Sequence, residues 1–118
     1  MGKASREKGA NYERELVRKM RTIGLRADRT AALQANGKRD EGAPDVTLHD
    51  FPGLHIEAKR DERMSVDAMV RQAEREAGGR IPVVIYRRNR QPSRVVVRLE
   101  WLLGLLVDVH RYRNGETR

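Results

Sequence analysis

Apolar residues Tyr12, Leu16, Val17, Met20 and Ile23 recur at helical spacing over residues 11–23, and Gly24 follows as a natural stop. The spacing predicts an amphipathic helix. Residues 25–28 read as a short strand, and residues 30–43, small and polar with Gly37 and Gly42 among them, as a mobile loop. Residues 45–49 and 54–59 each alternate polar and apolar around the break Phe51-Pro52-Gly53, the pattern of a strand hairpin. Ser65 is placed to cap a second helix with the stripe Val66, Met69, Val70, Ala73 and Ala77, ended by Gly78-Gly79. Residues 81–86 form a continuous apolar run, expected to be a strand buried on both faces, and residues 95–99 follow a turn as another strand. Glu100 opens a last helix, WLLGLLVDV, whose apolar residues nearly surround it and need cover on more than one side. A partner subunit or the chain's own core would each supply that cover.

Helices and strands alternate within 118 residues and 13.6 kDa, so the chain reads as one α/β (α+β) domain over residues 1–118, with 1–7 and 111–118 expected to be flexible. No internal repeat or linker interrupts it.

Charge narrows the class of partner. Lys and Arg number 25 against 17 Asp and Glu, a formal charge of +8, which favours a polyanion and nucleic acid first. Arginine, in excess over lysine, presents a planar, permanently charged fork that suits phosphate. The chain has no cysteine, which excludes disulfides, thiolate zinc sites and cysteine nucleophiles. The opening MGKASREKGANYERE is polar, and the longest apolar stretch, residues 101–109, is about half of what a bilayer span needs. A cytoplasmic protein with no membrane partner is expected. One Phe, one Trp and three Tyr leave few platforms for stacking single-stranded bases, so duplex or junction shape is the better-matched target.

Two constellations carry candidate chemistry. On a helix with Tyr12 at the origin, Ile23, Leu16, Met20 and Val17 fall at about 20°, 40°, 80° and 140°, and Glu13 at about 100° lies inside this apolar arc. Its neighbour Glu15, near about 300°, is on the solvent side. A carboxylate pointing inward needs a metal or a cation, and an ion pair with an arginine serves as well as a metal. The second constellation is Pro44-Asp45 followed by Glu57-Ala58-Lys59. Strand alternation puts Glu57 and Lys59 on one face and Leu54, Ile56 and Ala58 toward the core, while the hairpin returns Asp45 to their side. Two carboxylates and the Ala58 carbonyl are the hard oxygen donors that Mg2+ or Mn2+ prefers. His49 and His55 on the same hairpin lack a third ligand at zinc spacing and read as exposed.

Glu13, Pro44-Asp45 and Glu57-Ala58-Lys59 together resemble the PD-(D/E)xK nuclease superfamily. Within it, KGANYERELVRKMRTIG at residues 8–24, followed by Arg29, is similar to the archaeal-type Holliday junction resolvases that phages also carry, and Gln72 stands where these enzymes often have Gln. The resemblance implies a restriction-endonuclease-like core with a central mixed sheet of about five strands flanked by helices. It also implies a magnesium-dependent homodimer that nicks paired strands of four-way junctions in recombination and repair. Asp45, Glu57, the Ala58 carbonyl and Glu13 would be metal ligands, and Lys59 would polarise the attacking water, with Glu13, Asp45, Glu57 and Lys59 as the catalytic set. The chain departs from these relatives at Ala58, where Cys is usual, and in lacking their loop Ser, for which Thr30 is the available substitute.

Lys3, Arg6, Lys8, Arg29, Thr30, Lys38, Arg39, Arg60, Arg63 and Gln72 are the candidate DNA-binding residues, since they precede the first helix, lie on the loop, or follow the metal motif. Two other functional classes fit the same residues: a flap, nicking or restriction-like nuclease of the same fold, and a non-catalytic basic DNA-binding module with a structural acidic cluster.

Overall fold

The structure is a computed structural model that describes residues 2–37 and 40–115. Helix α1 (Lys3–Thr22) starts ahead of residue 11, where the apolar stripe predicts it, so residues 3–7 are helical rather than flexible. Those first turns are polar all round and therefore invisible to periodicity. Lys, Arg and Glu are good helix formers, and Lys3 and Glu7 pair at i, i+4. Gly24, at φ +96°, ends the helix, and the Leu25 N–H reaches back to the Met20 carbonyl at 3.0 Å.

Strand β1 (Ala27–Arg29) is followed by a short 3-10 turn over Thr30–Leu33, so the predicted loop begins with structure. β2 (Val46–Leu48) and β3 (Leu54–Lys59) form the expected antiparallel hairpin. Helix α2 (Val66–Ala77) starts where Ser65 Oγ accepts the Ala68 N–H and leads to β4 (Ile81–Tyr86), which runs parallel to β3. β5 (Arg94–Val96) returns antiparallel, shorter than predicted, and α3 (Leu99–Arg113) closes the chain. The result is a mixed five-stranded sheet in the order β1-β2-β3-β4-β5.

Each face of the sheet has its own helix. Tyr12, Leu16 and Val17 of α1 pack with Val46, Ile56, Ala58, Val83 and Ile85. On the other face Met69 and Ala73 of α2 pack with Val84 and Tyr86. Alternation thus sends Leu54, Ile56 and Ala58 to the α1 side and His55, Glu57 and Lys59 to the α2 side, as the sequence predicts. The exposure predicted for His55 is corrected: α2 covers its face, and His55 is 0 % exposed.

α3 does not pack into the chain's own core. None of its residues is buried. Among the described residues no helix is long and apolar enough to cross a membrane.

Candidate active site

Asp45 enters the sheet immediately before β2 and is held at three points. Its backbone N–H donates to the Ile56 carbonyl at 2.8 Å, its carbonyl accepts the Thr30 N–H at 3.0 Å, and its carboxylate Oδ2 accepts the Ala58 N–H at 2.8 Å. The side chain therefore reaches across to the backbone of the middle residue of Glu57-Ala58-Lys59. Asp45 is buried, and the charge-assisted hydrogen bond offsets part of the desolvation cost.

Asp45 opens onto a cleft of about 310 Å³ whose walls include Glu13, Arg29, Ala58 and Lys59. Gly9 and Ala10 on α1 make room for it, and Arg6 stands at its edge. Glu13, predicted to point inward, is half-buried and accepts from Arg29 Nε at 3.1 Å. The arginine alternative raised by the helix geometry is thus present, and it joins Glu13 to the cleft. Arg29 also lines a neighbouring depression of about 580 Å³ whose walls carry Arg14, Arg18 and Arg21, a basic groove beside the acidic cleft.

Glu57 faces elsewhere. It is not among the residues lining the cleft, and its Oε1 lies 2.8 Å from Nε2 of His55, with both side chains at 0 % exposure. Across from them, α2 contributes Glu76, and one ligand atom from each of His55, Glu57 and Glu76 falls within 4.8 Å of the others. Among the described residues this is the one trio of His and carboxylate groups gathered that closely. Asp45 and Glu13 are outside it. Lys59 links the two halves: its Nζ donates to Gln72 Oε1 at 3.0 Å, and Gln72 Nε2 donates to Glu76 Oε1 at 3.4 Å.

The site therefore has an accessible half of Glu13, Arg29, Asp45, Ala58 and Lys59 and a buried half of His55, Glu57 and Glu76. Sequence reading missed the roles of His55 and Glu76. Their signals were spacing: His55 stands two residues before Glu57 on a strand, and Glu76 four after Gln72 on a helix.

The candidate DNA-binding residues divide. Arg6 and Arg29 line the cleft, and Gln72 orients Lys59. Lys3 and Arg63 are exposed, and Lys8 is near Glu62 at 3.9 Å. Thr30 is buried, its hydroxyl 2.8 Å from that of Thr47. Arg60 donates to the Arg87 carbonyl, Glu62 and Asn89, which makes it a brace between the chain after β3 and the chain after β4. Lys38 and Arg39 lie outside the described residues. Next to Arg60, Asp61 accepts the N–H groups of Met64 and Arg63, and these bonds hold its carboxyl below the usual range.

The donor set of the accessible half is carboxylate oxygen with an adjacent ammonium, which fits a hard divalent cation such as Mg2+ or Mn2+; the buried half adds an imidazole, a softer donor. Comparisons with known proteins agree in kind. Residues 4–113 match the family described as "Phage putative PDDEXK endonuclease". No curated protein sequence matches the chain. Among solved structures, the Archaeoglobus fulgidus Hjc, a Holliday junction resolvase from an archaeal hyperthermophile, aligns with a TM-score of 0.50 and 25% identity over 76% of this chain and 72% of that one. The two share the restriction-endonuclease-like fold.

Proposed function

Because the chain belongs to the phage PD-(D/E)xK endonuclease family, we propose that it is a structure-specific DNA endonuclease that resolves four-way junctions with Mg2+, for which Mn2+ substitutes, acting as a homodimer. The observation that carries this reading is the bond from the Ala58 N–H to the Asp45 carboxylate, which ties Asp45 to the strand of Glu57-Ala58-Lys59 and sets it in one cleft with Lys59 and Glu13. The likeness to Hjc supports the junction as substrate, and the arginine-lined groove beside the cleft suits a duplex arm.

Asp45, Glu13 and the Ala58 carbonyl would hold the metal, which supplies Lewis-acid stabilisation and lowers the pKa of water at the scissile phosphate, while Glu57, turned toward His55 and Glu76, lies outside the cleft. The chain's own residues do the rest. Lys59, oriented by Gln72, places an ammonium beside the attacked phosphorus and offsets the negative charge that grows there. Water attacks phosphorus in line, the P–O bond to the 3′ carbon's oxygen breaks, and that oxygen leaves as a 3′-hydroxyl after protonation, with a 5′-phosphate on the other strand end. Arg29 and Arg6, at the rim, hold the flanking phosphates. Two such sites in one dimer would cut the two strands of like polarity.

The test is cleavage of labelled four-way junction, flap, nicked and linear duplex DNA of matched sequence with magnesium, comparing wild type with Asp45→Asn. Paired junction cuts lost in the variant are expected. Equal cleavage of all substrates would retain a nuclease and remove the junction preference, while tight binding without cleavage would make the chain a DNA-binding module.

A further inference from the structure

Helix α2 turns two polar residues toward the sheet. With Met69 as the origin, the buried Ala73 and Ala77 fall at about 40° and 80°, while Glu76 at about 340° and Gln72 at about 300° border this arc. A carboxylate drawn toward the core costs desolvation and is retained where it meets a donor. One donor here is an amide: Gln72 Nε2 donates to Glu76 Oε1 at 3.4 Å, and the other end of the same amide, Oε1, accepts from Lys59 Nζ at 3.0 Å. Behind Glu76 stand His55 and Glu57, neither of them exposed, with one polar atom from each of the three within 4.8 Å of the others. A row of polar side chains therefore runs from the sealed interior to Lys59 on the wall of the cleft.

We propose that Glu76 is a positioning residue for Lys59, acting through the amide of Gln72. An ammonium only donates and a carboxylate only accepts, so an amide between them has one orientation that satisfies both, Oε1 toward Lys59 and Nε2 toward Glu76. Turned over, it would set its NH2 against the ammonium and its carbonyl against the carboxylate, and both bonds would be lost. Glu76 thus fixes which end of Gln72 meets the lysine, and the four-residue spacing on α2 keeps the two side chains on one face. Without Glu76 the amide is free to turn, and the ammonium loses its fixed acceptor. Glu76 is not among the residues lining the cleft, so it acts on Lys59 and not on DNA. What Lys59 does for a phosphate rests on the nuclease reading, whereas its placement by Glu76 is measured without it.

The experiment reads Lys59 directly, in the full chain without DNA, by nuclear magnetic resonance of its isotope-labelled ammonium, identified by the loss of that signal in Lys59→Met. In wild type its protons exchange slowly with water. Glu76→Ala is expected to speed that exchange about fivefold or more, as Gln72→Ala does, the effect of losing one hydrogen bond. Glu76→Gln, whose side-chain carbonyl accepts the same bond, stays within about twofold of wild type. Single-turnover cleavage of the four-way junction follows the same order, about fivefold slower in Glu76→Ala and with no further loss when Glu76→Ala is added to Gln72→Ala, since the two act through one amide. DNA affinity stays the same in each variant. Unchanged Lys59 exchange in Glu76→Ala overturns the proposal, and so do rate losses that multiply in the double variant. A Lys59 ammonium released by Glu76→Ala and held by Glu76→Gln, in a protein that cleaves no DNA, would leave Glu76 in its role and remove the nuclease reading instead.

Discussion

Nε2 of His55 lies 2.8 Å from Oε1 of Glu57 between β3 and α2, with neither side chain exposed to water. A carboxylate taken so fully out of solvent is tolerated only with a donor beside it. His55→Leu is therefore expected to destabilise the fold by about 3–5 kcal/mol, and replacing His55 and Glu57 together by apolar residues by less than the two single changes added. Urea unfolding of the single and double variants measures this. A loss under about 1 kcal/mol for His55→Leu would mean that the pair carries no net interaction.

Asp45→Asn keeps an oxygen that can accept the Ala58 N–H and removes the charge. Its melting temperature is expected to stay within a few degrees of wild type, while cleavage falls by at least about 100-fold. Millimolar magnesium should raise the melting temperature of wild type more than that of the variant. Equal shifts in both would count against Asp45 as a ligand.

Gln72 holds the Lys59 ammonium at 3.0 Å. Gln72→Ala is expected to slow single-turnover cleavage about tenfold, with DNA affinity unchanged, and Lys59→Met to slow it further. If Gln72→Ala weakened binding and left the rate alone, Gln72 would be a DNA contact instead of a brace for the lysine.

The bonds that Asp61 accepts from Met64 and Arg63 lower its pKa from the ordinary 3.8. The unfolded carboxyl binds a proton more readily than the folded one, so this contribution is complete above pH 3.8 and is lost as pH falls through the lower folded value. Asp61→Ala should reduce stability at neutral pH and flatten the acid limb of the profile below about pH 4. Denaturant midpoints for both proteins between pH 2 and pH 7 give the comparison.

In the groove beside the cleft, Arg14 and Arg18 are exposed on α1 near Arg29. Changing either to Ala should weaken binding to all duplexes alike and reduce the slope of log K against log salt by about one. Unchanged slopes would place the DNA elsewhere.

Much of this was legible in the chain because periodicity is a local property. The stripe Val66, Met69, Val70, Ala73 and Ala77 with Ser65 as cap located α2, and alternation sorted Leu54, Ile56 and Ala58 from His55, Glu57 and Lys59. The start of α1 was not legible, since its first turns have propensity without an apolar face. The exposure of His55 was misjudged for a different reason: alternation reports that two sides exist, and says nothing of what lies over each.

Sequence by itself determined the element types along most of the chain, the pairing of Asp45 with the hairpin strand, and the family's motif, because each depends on spacing within one or two adjoining segments. Only the tertiary structure decided that α2 closes over Glu57 and sets it beside His55 and Glu76, that Arg29 meets Glu13, and that α3 stands clear of the core. Those are meetings between segments far apart in the chain, fixed by how two layers of helix divide the faces of one sheet, and no local pattern encodes which side chain will stand opposite which.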